Sequence, residues 1–216
     1  MLANAVRESG DHGPFNSWDR TPYISDVGRL PDPSSPTGYS PAQGKPSVVP
    51  SLRYIRHNLV MAVYASQEAI DNDDGSAHYQ THDNFFVYGA NGLKSDFAGQ
   101  WNHHYNNLYA FIQNALFFYN VAYMDAFYNN SVVLTDVKGY PSDCILKQPF
   151  ISVHDNSLYT ENGTALVCGG NRTLQQWLNS GQSDDHGTTV STWPNDESII
   201  NSGLKRIQIR VIKKLI

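Results

Sequence analysis

The sequence is poor in charge, poor in cysteine and free of long apolar runs. Charged residues make up 16% of the 216 positions, and two residues are cysteine. A transmembrane helix needs about 20 consecutive apolar residues. No such run occurs, so the sequence predicts no membrane span. Five of the fifteen basic residues lie in the last twelve positions, which leaves ten bases against twenty acids before them. A body of that charge is not expected to bind nucleic acid.

Several catalytic and targeting motifs are missing. The sequence has no GxSxG nucleophile elbow, no Walker A loop and no dinucleotide-binding glycine fingerprint. The first residues, MLANAVRESGDHGPF, lack the apolar core of a signal peptide. The features that remain are a repeat in the middle of the chain and clusters of polar side chains beside it.

The repeat is defined by the spacing of its asparagines. Asparagine recurs in similar surroundings at positions 58, 84, 107, 130 and 156, in steps of 26, 23, 23 and 26. A second series places Ile70, Leu93 and Leu116 at steps of 23, and Leu166 follows after 50. Such a period with β-branched and aromatic residues after the asparagine favours short strands stacked as parallel rungs about 4.8 Å apart. A leucine-rich helical repeat fits poorly, because the LxxLxLxxN pattern is absent.

Asparagine suits the corners of such coils. It tolerates a left-handed backbone, and its amide can bond the amide one coil above, which predicts an asparagine ladder. In this respect the chain resembles the right-handed parallel β-helix proteins of the pectin-lyase-like superfamily. The segments GDHGPFNSWDRTPY, QEAIDNDDGS, FFVYGANGLKSDF and FYNNSVV resemble an uncharacterised branch of right-handed β-helix domain proteins. The resemblance implies a fold rather than one function, because that superfamily holds lyases, hydrolases, epimerases, phage tailspikes and non-catalytic modules.

We predict an all-β fold, a right-handed parallel β-helix of five or six coils. Residues 1–216 are expected to form a single domain and to be part of a longer chain. Residues 51–170 form the regular coils, and residues 11–50 form a long loop that holds most of the eleven prolines. Residues 171–216 are a C-terminal cap or tail. Apolar and basic residues alternate in its last part, GLKRIQIRVIKKLI, which favours a capping strand.

Cysteines and sequons point to the secretory pathway. Cys144 and Cys168 are separated by about one repeat, so they are expected on neighbouring rungs within reach of a disulfide. Asn-x-Ser/Thr sequons begin at Asn129, Asn162 and Asn171. Together they predict a secreted glycoprotein whose signal peptide is absent from this chain. The alternative is a protein with two free thiols and no glycans.

The repeat predicts which residues lie beside the acidic stretch at 71–74 in the folded chain. A shift by one repeat carries Asp71 onto Lys94 and Asp73 onto Asp96. If Ile70 and its equivalents point inward, strand alternation places these four side chains on the outer surface. The next shift adds an aromatic shelf formed by Phe117 and Tyr119. A patch of this kind suits a saccharide.

Three interpretations of this patch remain open. Asp73 and Asp96 form the acid and carboxylate pair of a glycosidase, since two stacked carboxylates raise the pKa of one of them. Alternatively, Asp71, Asp73 and Asp96 hold Ca²⁺ while Lys94 takes a proton from a uronic acid. The third interpretation is a solvated face with a surface ion pair and an Asx turn. An EF-hand is excluded, because its twelfth position is His82.

A second cluster lies in the segment GDHGPFNSWDR. His12 is a candidate acid or base, Arg20 a candidate ligand for a sugar carboxylate, and Trp18 a candidate platform for a sugar ring. The alternative is a loop that is held by polar contacts over a packed tryptophan. The histidines at 78, 82, 103 and 104 show no zinc-ligand spacing. His103 and His104 point opposite ways in a strand, so at least one inward, hydrogen-bonded histidine is expected.

The sequence thus predicts a secreted carbohydrate-active β-helix protein that acts on or binds an acidic polysaccharide, as a lyase, epimerase or hydrolase. The alternative is a non-catalytic glycan-binding or structural module. No cofactor is required by either hypothesis, apart from the Ca²⁺ considered above. A cleft on the face formed by residues 71–96 would favour the enzyme, whereas a flat face would favour the module.

Overall fold

A computed structural model of the chain describes residues 2–3, 13–18, 52–61, 68–73, 76–96, 99–119, 124–140, 146, 151–168, 170, 172–183 and 185–208. The strands in this part of the chain are β1 (Leu2–Ala3), β2 (Asn16–Trp18), β3 (Arg53–Arg56), β4 (Leu59–Met61), β5 (Glu68–Asp73), β6 (Tyr79–His82), β7 (Phe85–Asp96), β8 (His103–Tyr105), β9 (Leu108–Tyr119), β10 (Asp125–Tyr128), β11 (Ser131–Leu134), β12 (Lys138–Tyr140), β13 (Ile151–His154), β14 (Ser157–Thr160), β15 (Leu166–Val167), β16 (Arg172–Thr173) and β17 (Thr189–Thr192). The helices are α1 (Leu174–Leu178) and α2 (Asp196–Gln208).

Strands of successive coils pair in parallel and form a β-solenoid with three sides. The first side contains β3, β6, β8, β10 and β13. The second side contains β1, β4, the first halves of β7 and β9, β11, β14 and β17. The third side contains β2, β5 and the second halves of β7 and β9. The all-β parallel solenoid predicted from the repeat is therefore confirmed.

Asparagine builds the corner between the first and second sides. In each coil it follows a residue with a left-handed backbone, such as Asp83 (φ 54°) or Asp155 (φ 55°). The backbone nitrogen and Nδ2 of Asn84 both lie 3.0 Å from Oδ1 of Asn107. The same contact joins Asn58, Asn84, Asn107, Asn130 and Asn156 in order along the solenoid. The predicted asparagine ladder is confirmed, including its uneven steps.

Apolar side chains fill the space between the three sides. Ile70, Leu93 and Leu116 pair in register on the third side and are buried, as the second series predicted. Each of the long strands β7 and β9 passes from the second side to the third by a bend, at Tyr88 (φ 63°) and Phe111 (φ 60°). Because the two bends are one repeat apart, the strands stay in register on both sides of the corner.

About three turns of the solenoid contain strands on all three sides, which is fewer than the five or six coils predicted. The strands β7 and β9 have twelve residues each, whereas β11 has four and does not reach the third side. The chain then forms β12, which pairs with β15 in a separate three-stranded sheet. Leu166, expected to extend the leucine series, lies in β15 opposite Thr173.

The two ends of the chain also differ from the predictions. Residues 11–50 were expected to form a loop, but Asn16–Trp18 is a strand. The expected capping strand at the C-terminus is wrong as far as residue 208, because α2 is a helix. It begins after Asn195, whose Oδ1 accepts the Ser198 N–H at 2.8 Å, and its buried Ile199 packs on the outside of the second side. The described helices are too short and too polar to span a membrane.

Candidate functional site

The predicted acidic cluster lies on the third side, and Lys94 is at its centre. The Nζ atom of Lys94 lies 3.0 Å from Oδ1 of Asp71 and 3.2 Å from Oδ1 of Asp73. The backbone register is the predicted one, because Asp71 pairs with Lys94 and Lys94 pairs with Phe117. One ammonium group thus bridges two carboxylates of the neighbouring strand.

The N-terminal strand β2 packs beside this cluster. Its Asn16 pairs with Asp71 in the backbone register, and Asn16 Nδ2 donates to Asp71 Oδ2 at 2.8 Å. The Ser17 hydroxyl donates to the Asp71 carbonyl at 3.2 Å. Gly13 permits the close approach, since a Cβ atom there would lie 2.7 Å from the Glu68 carbonyl oxygen. The polar cluster therefore anchors β2 to the solenoid.

Burial limits the chemistry that this acidic cluster can perform. Asp71 is 0% and Lys94 is 4% exposed, so the expected solvent-exposed patch is wrong for these two residues. The strand β2, which has no counterpart in the repeat, pairs with β5 and places Asn16 against the Asp71 carboxylate. Burial raises the pKa of the Asp71 carboxyl, and the Lys94 ammonium opposes that rise.

The ion pairs also limit the chemistry open to Lys94. Lys94 Nζ is buried and lies within 3.2 Å of two carboxylates, so a substrate has little access to it. Ca²⁺ bound between Asp71 and Asp73 would have to displace that ammonium group. The geometry therefore suits a buried structural ion-pair network better than either chemical role.

The predicted carboxylate pair lies at the ends of two adjacent strands. Asp73 and Asp96 directly follow Asn72 and Ser95, which pair in register. Asp96 itself pairs with Tyr119 in the backbone. The side chain of Asp73 is 15% exposed, so this carboxylate is the accessible edge of the cluster.

The remaining predicted site residues are described only in part. Trp18 lies opposite Asp73 in the backbone register. The side chains of Trp18, Asp96, Phe117 and Tyr119 lie outside the described part of the chain, as do His12 and Arg20 entirely. Their proposed roles in catalysis, in substrate binding and in Ca²⁺ binding stay predictions.

Polar groups are also buried inside the solenoid. The ring of His104 is fully buried, with Nδ1 2.7 Å from the Tyr109 hydroxyl and Nε2 3.3 Å from Asn72 Oδ1. Burial lowers the pKa of His104 to about 3, so the ring stays neutral. The expectation of an inward, hydrogen-bonded histidine in this strand is confirmed.

Asp125 is a second buried group, and it was not predicted from the sequence. Asp125 comes directly after a corner residue, and Asn102 has the same place in the preceding coil. The Asp125 Oδ1 accepts the Asn102 backbone N–H at 2.8 Å. Burial raises the pKa of Asp125 to about 7. The signal was available, because Asp125 lies one repeat after Asn102 and therefore replaces an asparagine at this corner.

A row of side chains along the first side is more accessible than these interior groups, except for His82, which is buried. It contains the residue two positions before each ladder asparagine, and its backbone register is continuous from coil to coil. His186 continues the row by stacking on His154, with ring centroids 4.9 Å apart. We call this set the outer row: Arg56, His82, Tyr105, Tyr128, His154 and His186.

The rings of the outer row stack face to face. Successive centroids lie 4.7 Å apart from His82 to Tyr105, 5.1 Å to Tyr128 and 5.0 Å to His154, with interplanar angles of 6°, 10° and 10°. The stacked faces cover one another, so the exposed parts are ring edges that carry hydroxyl or imidazole groups. No described residue hydrogen-bonds to the hydroxyl of Tyr105 or Tyr128. Burial raises the pKa of both tyrosines, which keeps the hydroxyls protonated.

The outer row was not predicted, because the repeat was defined by its apolar and asparagine positions. The sequence signal for the row was the position two residues before each ladder asparagine, where the residues are Arg, His, Tyr, Tyr and His.

Comparison of the chain with protein-family models, with curated proteins and with solved structures found no match.

Proposed function

We propose that this protein is a secreted, non-catalytic module that binds an acidic polysaccharide along the outer row. The observation that carries the proposal is the regular succession of polar ring edges, one per coil, at 4.7 to 5.1 Å from one ring to the next. A polysaccharide also repeats its hydroxyl groups at a spacing of one sugar unit. A regular row of donors can therefore contact several units in succession.

The row offers suitable chemistry to such a ligand. The hydroxyls of Tyr105 and Tyr128 donate and accept hydrogen bonds, as sugar hydroxyls do. Arg56 is exposed at one end of the row and provides a guanidinium for a carboxylate or sulfate group. The ring stacking holds these groups in place before a ligand arrives, which lowers the entropy cost of binding.

The catalytic alternative at Asp73, Asp96 and Lys94 has less support. Lys94 is buried and bound to two carboxylates, and a lyase base has to be accessible to its substrate. The buried ion pair thus favours a structural role on the third side and leaves binding to the first side. Membership in the right-handed, pectin-lyase-like superfamily belongs to this proposal as well.

The proposal that the protein is secreted includes glycosylation at surface asparagines and a disulfide bond. Asn129 and Asn162 head sequons and lie at the surface, so either can carry a glycan without disturbing the core. Cys168 is buried in the core, and Cys144 lies outside the described residues. A disulfide between them is part of the proposal, and it predicts a mass increase of two hydrogens on reduction of the intact protein.

Binding to pectin, alginate, a sulfated glycan and a neutral glucan tests the proposal. The double variant Tyr105→Phe/Tyr128→Phe keeps both rings and removes both hydroxyls. It should weaken binding at least tenfold, since each lost hydrogen bond is worth about 1 kcal/mol. Arg56→Gln should weaken binding of the acidic glycans more than that of the neutral one.

The matched control is Tyr88→Phe, which removes an exposed hydroxyl from a stacked ring outside the row. This variant should bind like the wild type. The proposal is wrong if the wild type binds none of the three acidic glycans, or if the double variant and the control bind equally well.

A further inference from the structure

Three potential metal ligands meet at the end of the outer row. The ligand atoms of His154, Asp155 and His186 all lie within 4.8 Å of one another, and no other such group occurs among the described residues. Asp155 Oδ2 lies 2.8 Å from His154 Nδ1 and 3.8 Å from His186 Nε2. All three side chains are accessible, at 24%, 42% and 72% exposure.

The backbone holds these residues together before any ion binds. Asp155 sits at a corner with φ of 55°, and its N–H donates to the His186 carbonyl at 2.8 Å. Gly187 contacts the Asp155 carboxylate so closely that a Cβ atom there would overlap it. The two chain segments that supply the ligands are therefore fixed relative to each other.

A second histidine–aspartate pair on the same side shows what is special about this group. His82 Nδ1 lies 2.7 Å from Asp83 Oδ2, and Asp83 has the same left-handed backbone as Asp155. The neighbours of His82 in the row are Arg56 and Tyr105, and neither is a usual metal ligand. The neighbour of His154 towards the other end is His186, which supplies the third ligand.

We propose that His154, Asp155 and His186 bind a divalent transition-metal cation of the Zn²⁺ type, with water completing its coordination. Two imidazoles and one carboxylate are ligands that such ions prefer. Ligands on one tetrahedral zinc ion lie about 3.4 Å apart, given bond lengths near 2.1 Å. The observed separations of 2.8 and 3.8 Å lie on either side of that value.

One adjustment is needed on binding. The two imidazole planes are parallel within 3°, so their lone pairs do not converge on one point. His186 is exposed, and its ring can rotate out of the stack towards Asp155 without disturbing the core.

Calorimetric titration of the full chain with zinc chloride, in the absence of any glycan, tests this proposal independently of polysaccharide binding. The wild type should bind one ion per chain at micromolar concentration or tighter. His186→Ala should weaken binding at least tenfold, and His154→Phe should do the same while it keeps a ring in the stack. NMR resonances of the two imidazole rings should shift on zinc addition.

The matched control is His82→Phe, which changes the equivalent histidine of the pair that lacks a third ligand. It should bind zinc like the wild type, and circular dichroism should show that all variants are folded. The proposal is overturned if the wild type binds no zinc. It is also overturned if His186→Ala binds as tightly as the wild type, or if His82→Phe weakens binding as much as His186→Ala does.

Discussion

The third and first sides of the solenoid are both built by stacking of equivalent residues, but the groups that result differ in burial. On the third side, stacking places Lys94 against Asp71 and Asp73, and the strand β2 packs beside them. On the first side, stacking aligns the rings of the outer row, and most of these remain partly open to solvent. Equivalent residues one coil apart are neighbours in both cases. On the third side the stacked charged groups are buried and form a structural network, whereas most members of the outer row stay accessible.

The largest effect is expected where the third side loses its central charge. Lys94→Met keeps a side chain of similar length but leaves the Asp71 and Asp73 carboxylates without their shared ammonium group. Breaking a buried ion pair by removing one partner costs about 3–5 kcal/mol. Urea denaturation should therefore show a loss of that size in the free energy of unfolding.

The double variant Asp71→Asn/Lys94→Met separates the charge effect from lost packing. It removes the most buried carboxylate together with the lysine, so it should be more stable than Lys94→Met alone. A loss below about 1 kcal/mol for the single variant would mean that the ion pairs are solvated, as on an ordinary surface. The contrast between the two sides would then fail.

A smaller loss is expected at the corner that the first and second sides share. Asn107 is fully buried, its Oδ1 accepts from Asn84, and its Nδ2 donates to the Thr81 carbonyl at 2.9 Å. Asn107→Ala leaves these backbone groups unpaired, which costs about 2–3 kcal/mol.

Asn58→Ala is the matched control, because Asn58 is only half-buried at the first step of the described ladder. It should cost less than half as much in the same urea measurement. Equal losses at the two positions would show that the ladder has no special stabilising role in the middle of the solenoid.

The sequence predicted the register of the solenoid and much less of its exterior. The asparagine ladder and the pairing of Asp71 with Lys94 follow from the repeat, because each coil must place equivalent residues one strand apart. The burial of Asp71 could not be predicted in this way. The strand β2, which places Asn16 against the Asp71 carboxylate, comes from a proline-rich segment with no counterpart in the repeat.

The C-terminal helix shows a different failure. Alternating apolar and basic residues after Gly203 favoured a strand, yet the helix begins earlier and its spacing is set by Ile199, Gly203 and Ile207 at intervals of four. Gly203 fits against the ring of Phe85, where a larger residue would collide. The cap at Asn195 followed by two acidic residues was the sequence signal for this helix.

The smallest effect concerns a buried carboxyl at another corner, and it appears in the pH dependence of stability. The pKa of Asp125 is raised from 3.8 to about 7, so the folded state holds this proton more tightly than the unfolded state. Stability is therefore lost as the pH rises from the unfolded-state pKa towards 7, and the loss is complete above 7. Between pH 6 and pH 8 the remaining loss is about 1–2 kcal/mol, given about 1.4 kcal/mol for each unit of pKa difference.

Asp125→Asn restores the residue type that Asn102 has at the equivalent position, and it cannot ionise. Thermal melts of the wild type and of Asp125→Asn at pH 6, 7 and 8 should diverge, with the variant gaining relative stability at the higher values. The difference between the two proteins isolates Asp125 from every other titrating group. Parallel curves would mean that the carboxyl reaches water, and this corner would then belong with the accessible first side rather than with the buried network.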